Sequence, residues 1–270
     1  SRKNAARNDR SRTNTGCDSI HDRDASSFDD SVMLAYGRET GTRAHYRFAG
    51  WTERPARRIG LLVERQWLWR ENRALAARLH HAQLKVAASL EDIDYRHPRG
   101  LKRAQIEQLR ASQWVANHHN CLITGPTGSG KTYLACALAH QACRDGHRVG
   151  YYYAPKLFRE LQNAQADGSL MKLLKKLSRA ALIVLDDFGV AAVTGKQYRD
   201  LLEILDDRHG LGSTLVTSQF PVDEWHGVIN DATVADAILD RLVHHAHPLN
   251  LVGESLRRMK PKLTKEPDTE

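Results

Sequence analysis

The sequence predicts an α/β protein built on a parallel sheet of five strands between helices, and three observations carry that prediction. The octapeptide Gly125-Pro126-Thr127-Gly128-Ser129-Gly130-Lys131-Thr132 fills every fixed position of the phosphate-loop pattern G-x-x-x-x-G-K-[ST]. Fifty-five positions after Lys131, the apolar run Ala181-Leu182-Ile183-Val184-Leu185 ends in Asp186-Asp187. Between and beyond these, short apolar runs alternate with stretches of helical period, the order expected of a parallel sheet.

Cys121-Leu122-Ile123-Thr124 reads as the first strand, and residues 133–143 as the alanine-rich helix after the loop. Val149-Gly150-Tyr151-Tyr152-Tyr153-Ala154 is the second strand, its aromatic run read as β-propensity rather than a base-stacking platform. The third, 181–185, has the unbroken apolar character of a strand covered on both faces. Ser213-Thr214-Leu215-Val216-Thr217 and Pro248-Leu249-Asn250-Leu251-Val252 complete the five. Among the helices, Tyr198, Leu201, Leu202 and Leu205 form an apolar face opposite Asp200, Glu203, Asp206 and Asp207.

At 270 residues the chain holds one sizeable domain and a smaller appendage. Residues 1–57 are polar and aperiodic and read as disordered or non-native, as a frameshift or a misplaced start upstream would produce. Residues 58–90 are expected to form an N-terminal helical region. Within it, a basic amphipathic helix of about six turns starts at Ile59 and carries Arg65, Arg70, Arg73 and Arg78; it suits DNA, a partner protein or its own small domain. Pro98-Arg99-Gly100 breaks the chain, and 101–116 reads as a helix entering the first strand. The ATPase domain is placed at 91–260 and a disordered tail at 261–270. Cys17, Cys121, Cys136 and Cys143 lack CxxC spacing and read as reduced thiols of a cytoplasmic protein. A membrane span is not expected, since no run approaches eighteen apolar residues. The net charge of +8 and pI near 9.4 suit an acidic partner such as nucleic acid.

The phosphate loop is expected to bind ATP. Its glycines allow the tight turns that aim successive N–H groups at phosphate oxygens, and the following helix adds its positive end. Lys131 reaches the β- and γ-phosphates, while the Thr132 hydroxyl and Asp186 hold Mg²⁺. Asp187 orients the attacking water. Arg241 and Arg257 are candidates for stabilising the charge that develops during transfer. Lys172, Lys175, Lys176 and Arg179 flank an amphipathic helix whose leucines are Leu170, Leu173, Leu174 and Leu177, a face suited to DNA phosphates or simply to solvent. The pairs His80-His81, His118-His119 and His244-His245 are expected to diverge, and no zinc-like ligand spacing is present.

Taken together, Gly125 to Thr132, Leu185-Asp186-Asp187, the stretch Leu201 to Arg208, Ser213 to Gln219 and Gly253-Glu254-Ser255 resemble the IstB-type transposition helper ATPases, which are close to the DnaC-like helicase loaders. The resemblance spans about Ile59 to Met259. It implies an AAA+ ATPase that partners an IstA-type transposase, binds duplex DNA without strong sequence preference, and forms a homo-oligomer with ATP sites between subunits. By position, Gln219 then resembles the polar sensor 1 residue, Arg241 the arginine finger and Arg257 the sensor 2 arginine. Many AAA+ proteins carry Glu where this chain has Asp187, and the shorter carboxylate implies slow turnover. The chain ends soon after Arg258, which leaves no room for a C-terminal helical lid. Two other readings stand beside the transposition helper. One is a helicase loader; the other is an adaptor in which ATP locks an oligomer onto DNA and hydrolysis is incidental.

Overall fold

The computed structural model describes residues 32–36, 43–47 and 53–256 apart from 192, 230 and 254, with side chains from 57 onward. Cys17, Glu254, Arg257, the proposed frameshifted start and the C-terminal tail lie outside the described residues. The chain divides into two units, Ser1–Leu68 and Trp69–Glu270. In the smaller unit, β1 (Val32–Tyr36) pairs antiparallel with β2 (Arg43–Arg47), Val32 opposite Arg47. Helix α1 (Glu53–Ala82) has 30 residues, starting before Ile59 and running longer than the expected six turns.

The larger unit continues with α2 (Arg103–Arg110), α3 (Gln113–Ala116), β3 (Asn120–Thr124), α4 (Lys131–Arg144), β4 (Val149–Tyr153), α5 (Ala154–Asp167) and α6 (Leu170–Ser178). Then come β5 (Leu182–Phe188), α7 (Gly195–Arg208), β6 (Ser213–Ser218), α8 (Trp225–Ile229), α9 (Ala232–Val243) and β7 (Ala246–Asn250). The five strands β3 to β7 form one parallel sheet in the order β4-β5-β6-β3-β7. Because β3 lies between two strands that come much later in the chain, the loop leaving its carboxyl end opens into a crevice, the usual ligand position in such sheets.

Strand alternation produces two cores, one on each face. Cys121, Ile123, Leu182, Val184 and Leu215 point into the core completed by α2, α3 and α4, together with Leu75, Leu79 and Ala82 of α1. Leu122, Ile183, Leu185 and Val216 point into the other, completed by α5 to α9 around Trp225, Tyr198 and Phe188. Ala88 and Leu90 also belong to the first core, so the stretch after α1 packs within the larger unit. Burial pushes the Cys121 thiol up to about 12 and Cys143 to about 11, which leaves both as inert core residues.

Four boundaries differ from expectation for local reasons. The helix expected over 101–116 is two helices, because Ser112 adopts a left-handed φ of 50°. That turn swings Trp114 inward, where its indole N–H donates to the Leu109 carbonyl at 3.1 Å. The second strand stops at Tyr153, and Ala154 opens α5. The third continues through both aspartates to Phe188, with a register shift against β6 after Leu185. The fifth occupies 246–250, its last pair being Asn250 with Thr124, and the Leu251 N–H still donates to Thr124 O at 2.8 Å.

Arg208, at the end of α7, is buried and joins three segments. Its guanidinium donates to Leu177 O at 2.8 Å, Ala180 O at 2.7 Å and Ser213 O at 2.6 Å. Its hydrogen bonds go to neutral carbonyls, and burial lowers its pKa to about 10. Substituting Arg208→Ala strands those carbonyls and opens a cavity, so urea unfolding should show a loss of about 3 kcal/mol or more.

Candidate nucleotide site

The loop between β3 and α4 has a conformation that only its glycines permit. Gly125, Gly128 and Gly130 take φ values of +144°, +85° and +95°. A Cβ on Gly125 would lie 2.3 Å from Leu251 O, and one on Gly128 would lie 2.0 Å from Ser255 Oγ. The loop is thus pressed against the segment that follows β7, and the Leu256 N–H donates to Gly128 O at 3.0 Å. Lys131 begins α4, and its ammonium donates to Gly125 O at 2.7 Å and Pro126 O at 2.9 Å. In this arrangement the loop's own cation folds back over its backbone.

The two halves of the expected site meet directly. Thr132 Oγ1 donates to Asp186 at 2.9 Å and 3.1 Å, across 54 residues of sequence. Asp186 is fully buried and also accepts from Thr217 Oγ1 at 2.7 Å, Tyr151 OH at 2.5 Å and Lys85 Nζ at 3.4 Å. A buried carboxylate needs such donors to be tolerated. Burial, followed by the bond to Asp186, pushes the Tyr151 phenol well above its usual value and keeps it a donor. The hard oxygen donors Thr132 and Asp186 suit Mg²⁺ better than a softer metal. The glycine cradle fits a phosphate, and Ser129 Oγ, buried within the loop, has no hydrogen-bond partner among the described residues.

Asp187 stands beside Asp186 but points differently, because it sits at φ +59° where β5 slips register. Its N–H donates to Thr217 Oγ1 at 2.9 Å, so a single threonine serves both aspartates. Gln219, just past β6, accepts from Thr127 Oγ1 at 2.8 Å, which brings the sensor candidate onto the loop.

Other candidates lie elsewhere. Arg241 is on α9 at the far end of β3 from the loop, since Asn120 Nδ2 donates to its carbonyl at 2.7 Å. Its guanidinium pairs with Asp206 and with Asp240. Lys172, Lys175 and Lys176 project from α6, whose Leu174 and Leu177 are buried. With Arg179 they line a cleft of about 670 Å³ against α5, but Glu160 and Asp167 share that cleft and offset part of the charge.

Sequence reasoning missed Lys85 and Arg99. Lys85 lies over the Tyr153 ring at 5.1 Å while reaching Asp186, and Arg99 reaches Ser129 O at 3.3 Å. Neither carries a motif; only the tertiary fold delivers them. The histidine reading also needs correction. His118 and His245 adopt left-handed turns outside helices, and His119 stacks on His245 at 5.5 Å and approaches His247 at 3.4 Å. Among the described residues, no group of three or more His, Cys, Asp or Glu has a metal-holding arrangement, and no helix is long and apolar enough to cross a membrane.

The backbone at Asp187 yields a test. Asn tolerates the left-handed region almost as Asp does, whereas a β-branched side chain does not. Thermal unfolding should show Asp187→Asn within about 0.5 kcal/mol of the parent and Asp187→Val destabilised by about 1–3 kcal/mol.

Comparison with known proteins agrees with this geometry. The chain is 51% identical over 200 residues to a putative insertion sequence ATP-binding protein, y4pL, of Sinorhizobium fredii, covering 74% of this chain and 82% of the relative. It is 32% identical over 197 residues to the insertion sequence IS21 putative ATP-binding protein of Pseudomonas aeruginosa, covering 73% and 74%. Among solved structures, DnaI superposes with a TM-score of 0.52 at 26% identity, over 61% of this chain and 90% of DnaI. AMPPCP-bound DnaA from Aquifex aeolicus gives 0.52 at 17% identity, over 63% and 51%, and bears on the fold alone. These likenesses support the expected P-loop AAA+ fold. The model of the family described as IstB-like ATP binding protein matches residues 38–264, and the chain belongs to that family.

Proposed function

We propose that the protein is a slow ATPase that assists an IstA-type transposase in moving an insertion sequence, acting on duplex DNA as an ATP-controlled oligomer. The observation that carries this reading is the hydrogen bond between Thr132 and Asp186, which joins the phosphate loop to the acidic strand end in a family of insertion-sequence ATP-binding proteins. Thr132 and Asp186 would hold Mg²⁺, which would supply neutralisation of the charge on the phosphates. The chain's own groups do the rest. Lys131 leaves its carbonyl partners for the phosphates, and the loop N–H groups hold them. Asp187 accepts hydrogen bonds from the attacking water and fixes its direction, and Gln219, joined to the loop through Thr127, takes the place of the sensor 1 residue.

Arg241 lies at the opposite end of β3 from its own phosphate loop, so its use in hydrolysis requires the loop of a neighbouring subunit. Arg257, from its place after β7, is assigned to the chain's own nucleotide. Duplex DNA is assigned to Lys172, Lys175, Lys176 and Arg179, which contact phosphate without reading sequence. The likeness to DnaI supports a second reading, a helicase loader of the same fold. The two readings differ in partner and share the ATP site. Under the adaptor alternative, hydrolysis is incidental and Asp187→Asn still supports transposition.

Two measurements test this. Lys131→Ala should weaken ATP binding roughly 100-fold. Asp187→Asn should bind ATP normally but turn it over about 10²-fold more slowly, and parental turnover itself should lie below the ~1–10³ per second of typical enzymes. Undiminished binding in the first variant or undiminished hydrolysis in the second overturns the assignment. For DNA, the triple substitution of Lys172, Lys175 and Lys176 by Glu should lower affinity for unrelated duplexes and flatten the slope against salt concentration. An unchanged slope removes α6 from the interface.

A further inference from the structure

Arg99 is 4% exposed and lies against the wall of the phosphate loop. Its Nη1 donates to Ser129 O at 3.3 Å and its Nη2 to Asp94 O at 3.0 Å. Nε is buried and has no hydrogen-bond partner among the described residues. Among the described residues no carboxylate reaches it at ion-pair distance; Asp94 favours its charged form from further off, but takes the Arg96 N–H on Oδ1. A Cβ built on Gly130 would stand 2.7 Å from Nη1, so the guanidinium rests directly on the backbone that opens α4.

This placement is unfavourable by itself. A buried cation is costly without a counter-ion, and the N-terminus of a 14-residue helix is already the positive end of its dipole. Two further facts indicate what offsets the cost. Ser129 Oγ, in the same loop, is a second buried polar atom without a hydrogen-bond partner among the described residues. The peptide unit that Arg99 grips is the one joining Ser129 to Gly130. Because a trans peptide directs its C=O and N–H oppositely, holding Ser129 O against Arg99 turns the Gly130 N–H to the other side, towards the loop's interior. Arg99 also connects the loop to its surroundings. Its carbonyl accepts from the Val252 N–H at 2.9 Å, and a Cβ on Gly253 would strike Pro98 O at 2.7 Å, so the 98–100 segment and the one covering the loop are held together.

We propose that Arg99 is a positioning residue of the nucleotide site: it fixes the Ser129–Gly130 peptide in its anion-binding orientation, and the phosphates of the bound nucleotide supply its missing counter-charge. This rests on the reading of Gly125 to Thr132 as an ATP site. It gives the site a buried cation in addition to Lys131, brought from a segment 26 residues before the loop.

The experiment uses the full chain with Arg99→Gln, which keeps amide donors but removes the charge, and Arg99→Lys, which keeps the charge. Affinity is read by fluorescence anisotropy of N-methylanthraniloyl-ATP, and stability by thermal unfolding with and without ATP. Arg99→Gln should weaken binding about tenfold and shrink the ATP-induced rise in Tm, yet unfold without nucleotide no earlier than the parent. Arg99→Lys should recover affinity to within about threefold of the parent. The inference is overturned if Arg99→Gln binds like the parent. It is also overturned if both variants bind equally poorly and unfold early without nucleotide, which marks a packing role alone. Lys131→Ala, measured in parallel, separates the two readings. If it binds ATP undiminished, the ATP-site reading fails; if it loses binding while Arg99→Gln does not, only the role of Arg99 fails.

Discussion

The burial of one carboxylate organises the site. Asp186 lies at 0% exposure near the end of β5, an interior strand of the sheet, where an isolated charge would cost several kcal/mol. The protein satisfies it with donors from four separate segments: Thr132 of α4, Tyr151 of β4, Thr217 of β6 and Lys85 from the stretch after α1. Each of those segments is thereby fixed relative to the others. The sheet order makes this possible, since β4 and β6 flank β5 and α4 follows the loop from β3. A change in register of any neighbouring strand would leave the charge short of a partner. The same carboxylate that suits a divalent cation therefore also holds the phosphate-loop end of the sheet in register.

Lys85 adds a feature that neither strand nor loop supplies. Its ammonium is half-exposed, so its attraction to Asp186 is moderated by water, and the ring of Tyr153 steadies the approach. The Asp186 carboxylate thus has a cation of the chain's own beside it. Any divalent cation that binds there competes with a flexible side chain, a much smaller obstacle than reopening a packed pair.

The legible part of the molecule was the part encoded locally. Eight consecutive residues announced the phosphate loop, and an apolar strand ending in two aspartates announced its partner, because both patterns are dictated by backbone geometry over a few positions. Strand number and type were readable from the runs themselves. What escaped has a common cause. Tyr151 was visible as a strand former but not as a donor, because its partner lies 35 residues away. Arg99 sat in a Pro-Arg-Gly break that looked like punctuation, and its importance comes from burial, which no local pattern encodes. Ser112 interrupts a segment with helical composition because tertiary packing of Trp114 outweighs propensity. The expectation that adjacent histidines diverge took no account of the turns: left-handed residues at His118 and His245 bring His119 onto His245 and beside His247 at one end of the sheet.

The positive φ at Asp187 reaches beyond stability. Residues with short polar side chains are the ones that enter the left-handed region readily, and the register slip after Leu185 places this position there. A longer acid would bring its carboxylate closer to water, but its extra methylene offers no local hydrogen bond to offset the backbone strain. The choice between aspartate and glutamate here is thus set first by chain conformation and only then by chemistry. A glutamate at this position would meet the same constraint, so the strand would have to straighten before the longer side chain could be used.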